Sequence, residues 1–141
     1  MIDHLGIRCR SSAVSLPFYR GCLEPLGIRV VQEKPEFNAE IFMQEGSVTF
    51  VFIGEGEPEW QAQMAGKFRL HLAFRARSQA EVDAFHEAAL KAGGTDNGGP
   101  GTRAVGLPEP TQRGTTCYSA FVIDPDGHNI EAIFHPDLPP F

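Results

Sequence analysis

The sequence predicts an α+β fold made of two βαβββ modules, on three observations. The chain repeats itself: shifted by 67 positions, His4-Leu-Gly-Ile-Arg-Cys-Arg-Ser-Ser-Ala13 aligns with His71-Leu-Ala-Phe-Arg-Ala-Arg-Ser-Gln-Ala80, and 9 of 24 pairs through Gly27 and Gly94 are identical. Unrelated residues would match at roughly one or two of those places. Each copy opens with side chains alternating between two faces, the period of a strand, and continues with apolar residues at helical spacing. The chain closes on two strand-like runs around Asp124-Pro-Asp-Gly127, where Pro presets the second position of a turn. An internal repeat bounds the architecture before any finer reading. It also supplies two equivalent histidines, His4 and His71, as a symmetric metal site would use.

In module one, residues 2–9 alternate, with His4, Gly6 and Arg8 on one face and Leu5 and Ile7 on the other. Leu16, Tyr19, Leu23 and Leu26 then follow at helical spacing. Pro17 suits a helix only in its first turn, with Ser12 or Ser15 as the cap, and Pro25 and Gly27 end it. Residues 28–32, 39–44 and 47–53 read as three strands, the last two joined around Glu45-Gly46. One domain spans 1–141: module one over 1–56, a connector over 57–67, module two over 68–135 and a short tail over 136–141. Module two begins with a strand over 68–76, in which His71, Ala73 and Arg75 oppose Leu72 and Phe74. Ser78 and Glu81 have the spacing of a capping box, which satisfies two orphan donors at a helix start. Val82, Phe85, Ala89 and Ala92 form the buried stripe of that helix, and Gly93-Gly94 stop it. Residues 94–114, with six Gly and three Pro in 21 positions, read as a long irregular excursion of the kind that is usually functional or mobile. Strands over 117–123 and 129–134 complete the module, with Glu131 facing away from Ile130, Ala132 and Phe134.

Composition narrows the partners. The net charge of −6 argues against nucleic acid and anionic membranes. No run of 18 apolar residues is present, so no membrane-spanning helix is expected. The chain opens on a strand-like segment without a basic then apolar leader, and its three cysteines form no CxxC pair. Both features suit a reducing cytoplasm.

Four segments in order carry a family resemblance: Ile2-Asp-His4-Leu-Gly-Ile, Phe18-Tyr-Arg-Gly-Cys-Leu-Glu-Pro-Leu-Gly27, His71-Leu-Ala-Phe74, and Phe121-Val-Ile-Asp-Pro-Asp-Gly-His-Asn-Ile-Glu131-Ala. The chain resembles the vicinal oxygen chelate superfamily of glyoxalase I, fosfomycin thiol transferases, extradiol dioxygenases and bleomycin-resistance proteins. The resemblance implies a glyoxalase-like fold, its paired modules curling a mixed sheet into a cup around a metal or ligand. It implies His4, His71 and Glu131 as metal ligands, with the last strand of module one, best matched at Phe50 to within a residue or two, supplying no fourth donor. Two histidines and a carboxylate leave positions open for substrate, which suits a divalent ion such as Fe, Mn, Ni or Zn acting as a Lewis acid. All three ligands lie on strand faces turned away from the helices.

Apolar walls are expected from Phe50, Phe52, Phe121 and Trp60. Tyr118 is a candidate for orienting or acid–base work, or else a strand aromatic packed on the sheet. Arg8 and Arg75 are candidates for holding a substrate carboxylate or phosphate, or else solvated strand-end charges. His86 reads as solvated, and His128 and His135 as surface residues or supports for the ligands. Several members of the family fit less well. Phe121 stands where extradiol dioxygenases carry Tyr, and Gly6 and an Arg-free tail depart from the thiol transferases. The expected function is therefore a metal-dependent glyoxalase-like enzyme acting on a small oxygen-rich substrate, by isomerase, lyase or related chemistry. The alternative is a metal-free ligand-sequestering protein of the bleomycin-resistance type. A homodimer is the expected assembly, with the site within one chain or shared between two.

Overall fold

Each module closes by pairing its first strand with its last. In the computed structural model, which describes residues 3–55, 69–104 and 116–138, module one runs β1 (His4–Arg8), α1 (Ser12–Leu23), β2 (Ile28–Lys34), β3 (Ala39–Gln44) and β4 (Phe50–Gly54). Module two runs β5 (His71–Arg75), α2 (Gln79–Lys91), β6 (Thr95–Asp96), β7 (Gly101–Ala104), β8 (Thr116–Ile123) and β9 (Asn129–Phe134). The sheets have the orders β1-β4-β3-β2 and β5-β9-β8-β6, with β7 also on β8, so the two modules share one topology. In both, only the pairing of first strand with last is parallel. The result is an α+β architecture of two mixed sheets, neither of them closed.

The sheets are joined through their helices. Ile7, Phe18, Tyr19, Leu23, Leu26, Phe42 and Ile53 from module one form one buried cluster with Phe74, Val82, Phe85, Val122 and Ile130 from module two. Burying such side chains, at about 1.5–3 kcal/mol each, is the main force holding the modules together. Period-two alternation sends the other face of each sheet away from this core, so His4 and His71 are both exposed.

A polar latch adds direction to the apolar contact. The Asp124-Pro-Asp-Gly127 turn reaches from module two to the start of α1. Asp124 accepts hydrogen bonds from the Tyr19 hydroxyl (2.6 Å) and the backbone amides of Asp126 (2.9 Å) and His128 (2.7 Å). Asp126 accepts from the Ser15 hydroxyl (2.6 Å) and from Arg10 through its amide (2.9 Å) and Nε (3.1 Å). His128, expected at the surface or beside the ligands, is buried: its Nδ1 accepts from Leu70 N and its Nε2 lies 3.3 Å from the Arg8 carbonyl. His135 is buried too, while His86 pairs with Asp96 at 3.0 Å.

Several boundaries differ from the expectations for physical reasons. The residue preceding α1 is Ser11, whose side chain makes no capping bond. Glu55, at the end of β4, instead accepts from both the amide (2.7 Å) and the hydroxyl (2.9 Å) of Ser12. This early start puts Pro17 inside the helix rather than in its first turn. Gly27 ends the segment as expected, at φ 71°, and Ser78 caps α2 by accepting from Glu81 N at 3.2 Å. β4 begins at Phe50 rather than 47 because Ser47 Oγ accepts from the amide of Thr49 and shapes a turn there. The excursion at 94–114 is not wholly irregular: β6 and β7 both lie on β8. Residues 105–114, the connector and Trp60 fall outside the described residues.

Gly54 is the tightest point of module one. A Cβ there would overlap the Ala39 side chain and backbone and sit 2.9 Å from the Asn38 carbonyl. Gly54→Ala is expected to lower stability by about 2 kcal/mol or more, since overpacked positions typically lose 1–3 kcal/mol. Urea denaturation followed by circular dichroism measures it, and an unchanged midpoint would show that β3 and β4 separate at little cost.

Candidate functional site

Strand parity gathers one group of polar side chains on the outer face of the second sheet. Ala73 pairs with Glu131, which places Glu131 one step along from His71 on the same face. Nε2 of His71 is 3.1 Å from Oε2 of Glu131. The Asn129 amide hydrogen-bonds Nδ1 of His71 at 2.7 Å and is itself tied to Asn97 at 3.1 Å. The ring is thus held by one nitrogen and presents the other to the carboxylate. Glu131 is 6 % exposed, although His71 beside it is about half exposed. Burial raises its pKa, and Ser119, His71 and Arg103 partly offset that. The Ser119 side chain is fully buried beside this carboxyl and is one of the groups that hold its pKa down.

The first sheet repeats this geometry with other chemistry. His4 Nδ1 is held by Asp3 at 2.7 Å, and its ring stacks on Phe50 at 4.7 Å and 4°. The Arg8 guanidinium lies over the Phe52 ring at 5.3 Å, and Phe37 meets that ring edge-on at 6.3 Å. His4 pairs with Phe50 and Gly6 with Phe52, whereas His71 pairs with Asn129 and Ala73 with Glu131. The counterpart of Glu131 is therefore Phe52, two residues from the best sequence match at Phe50 and within the register expected there. Parallel pairing sets that register, and no local pattern reveals it.

The chain brings His71 and Glu131 together and places His4 on the other sheet. Among the described residues no group of three or more His, Cys, Asp or Glu side chains is assembled to hold a metal. Phe121 is beside His71, with ring centroids 6.1 Å apart. Tyr118 points the other way, toward α2, and its hydroxyl donates to Asp83 at 2.9 Å. Arg75 lines a cleft of about 320 Å³ at the junction of the modules, together with Leu5, Phe42, Phe50 and Leu72. That cleft lies beside the pair rather than over it. Cys9, Cys22 and Cys117 are free and buried, and burial pushes the Cys9 thiol up to about 12. Asn129, Ser119 and Arg103 stand beside this pair without having been expected there, because neutral polar side chains and a loop arginine carry no spacing signature.

The donor chemistry fits a divalent ion in part. An imidazole and a carboxylate converge, and both His4 and His71 have Nδ1 engaged, the arrangement that orients a ligating histidine. Comparison with known proteins gives this geometry a setting. The model of the glyoxalase/bleomycin resistance protein/dioxygenase superfamily matches residues 1–132. The chain belongs to this superfamily. One solved structure similar to this superfamily member is a glyoxalase/bleomycin resistance protein from Albidiferax ferrireducens, at 26 % identity and TM-score 0.72, covering 96 % of this chain and 99 % of that one. A glyoxalase-related enzyme from Fulvimarina pelagi has 22 % identity and TM-score 0.64, covering 96 % and 88 %. A glyoxalase/bleomycin resistance protein/dioxygenase family enzyme from Burkholderia phytofirmans has 16 % identity and TM-score 0.66, covering 94 % and 97 %. The last two show the fold alone. No curated protein matches the chain.

Proposed function

We propose that this superfamily member is a divalent-metal-dependent glyoxalase-like enzyme acting on a small oxygen-rich molecule, with His71, Glu131 and His4 as the metal ligands. The observation that carries the reading is the convergence of His71 Nε2 and Glu131 Oε2 at 3.1 Å, with each candidate histidine oriented through its Nδ1. His4 lies on a separate sheet, so we assign it to a second copy of the chain. β1 and β5 are edge strands, and an unpaired edge is a natural site of association. A homodimer in which His4 of the partner subunit joins His71 and Glu131 would complete the ligand set.

A bound ion of the Fe, Mn, Ni or Zn class supplies Lewis-acid polarisation of substrate oxygens. The chain's own residues do the rest. Phe50 beside His4, Phe52 under Arg8 and Phe121 beside His71 supply apolar walls. Arg8 supports binding of a carboxylate or phosphate, since its Nη1 is buried without a hydrogen-bond partner among the described residues. Arg75 is assigned the same role from the junction cleft. Tyr118, with its hydroxyl on Asp83, acts at most through the sheet. The reduced cysteines support a cytoplasmic setting, and no helix among the described residues is long and apolar enough to cross a membrane.

Elemental analysis of protein purified without chelator or affinity metal tests the reading. About one divalent ion per chain is expected from the ligand set, falling at least tenfold in His71→Ala. No ion in either protein, after soaking with each metal, would favour metal-free ligand sequestration instead.

A further inference from the structure

Arg103 is held in place without an anion to hold it. It lies on β7 directly across from Cys117 on β8, and cross-strand partners point to the same side. Two steps along β8 on that side is Ser119, and two further is Phe121, which pairs with Glu131. The guanidinium therefore reaches the His71–Glu131 face, where it lies over the Phe121 ring at 5.1 Å. Its Nη2 donates to the Gly99 carbonyl at 2.7 Å and its Nη1 to the Gly101 carbonyl at 2.9 Å.

The turn before β7 is shaped around this group. A Cβ on Gly98 would come within 3.3 Å of both Arg103 Nη2 and the Phe121 ring, and one on Gly101 within 3.2 Å of Nη1. Gly98 also has φ 138°, a conformation that disfavours any other residue. Glycine is thus favoured at 98 by its backbone conformation, and the backbone at 98 and 101 closes tightly on the guanidinium. Among the described residues no carboxylate forms an ion pair with Arg103, and Glu131 feels its charge only at longer range. Two neutral carbonyls and a ring leave the guanidinium without a carboxylate in contact among the described residues, and three of its five N–H donors remain for other partners.

We propose that Arg103 is the oxyanion receptor of this site and that the substrate carries a carboxylate, phosphate or phosphonate group beside an apolar body. The inference rests on the proposed reading of the His71–Glu131 face as the substrate site. The planar fork of Arg103 binds the oxyanion through two parallel N–H donors, and Phe121 carries the apolar part. Because the carbonyls fix the side chain before the ligand arrives, little order has to be imposed on binding. Arg103, Phe121, His71 and Glu131 all belong to module two, so this half of the site sits within one chain.

Phenylphosphonate is the probe, with benzyl alcohol as its neutral counterpart, each titrated by calorimetry into the full chain with and without divalent metal. Saturable phenylphosphonate binding is expected, at least tenfold tighter than benzyl alcohol. Arg103→Gln is expected to weaken it tenfold or more, and Arg103→Lys by an intermediate factor, with unchanged melting temperatures. If Arg103→Gln does not fold, Arg103→Lys decides, since it keeps the charge and loses the fork. Variants that bind phenylphosphonate as tightly as the unaltered protein, or an unaltered protein that does not bind it under either condition, would overturn the proposal. Arg103-dependent binding by a protein that takes up no metal would leave the receptor standing and remove the metal reading. Metal bound through His71 with no effect of Arg103 would do the reverse.

Discussion

Chains carrying His4→Ala, refolded together with chains carrying His71→Ala, are expected to recover metal binding that neither retains alone. The expectation follows from the two sheets. His71 and Glu131 meet on the second, His4 stacks on Phe50 in the first, and the helices lie between them. If each site takes His4 from one chain and His71 with Glu131 from the other, a mixed dimer has one intact site and one doubly altered site. Random pairing of equal amounts then restores about a quarter of the unaltered stoichiometry, for a twofold assembly. Equilibrium dialysis with Zn or Mn reads the result. If mixing restores nothing while each variant still dimerises, the site lies within one chain or His4 is not a ligand.

The second large effect is on stability. Asp124→Ala is expected to cost about 3–4 kcal/mol, because it strands buried donors rather than merely removing a contact. Asp124 is 4 % exposed and Tyr19 fully buried, and the lost carboxylate serves the Tyr19 hydroxyl and two backbone amides. A chain of this size should then melt on the order of 10 °C lower. Tyr19→Phe, which removes one donor and leaves the carboxylate its other two, is expected to lose about 1 kcal/mol. Thermal unfolding followed by circular dichroism separates the two. A melting temperature for Asp124→Ala within 2 °C of the unaltered protein, on the order of the shift from a minor surface change, would show that the latch is solvated.

The parts of this fold that were legible in the sequence are those whose cause is local. Alternation in β1 and β5 placed His4 and His71 away from the helices because a strand has period two. Ser78 and Glu81 announced α2 because both halves of its cap lie within one turn. The start of α1 was misplaced for the opposite reason. Its donors are met by Glu55, 43 residues away, and Asp126, 111 residues from the Ser15 it binds. β6 and β7 stayed hidden because their ladder partner β8 lies beyond residue 115. At the candidate site, the His71–Glu131 pair could be read from face parity plus the family resemblance. Asn129 and Arg103 could not, since one was a polar residue in a strand and the other an arginine in a glycine-rich loop.

Phe52 in the register of Glu131 also bears on descent. A lone module pairing with its own copy would present identical residues on both sides of its site, so each mutation there would be made twice. Fusion of two copies into one chain lifts that restriction. One copy can retain the histidine with its carboxylate while the other exchanges the carboxylate for a ring. Subsequent drift is then filtered differently in the two halves, by shape around Phe50 and Phe52 and by charge around His71 and Glu131. What the two halves still hold in common is their backbone and the matched residues of their first strand and helix. Their divergence at Phe50 and Phe52 against Asn129 and Glu131 lets one ancestral surface become two unlike ones.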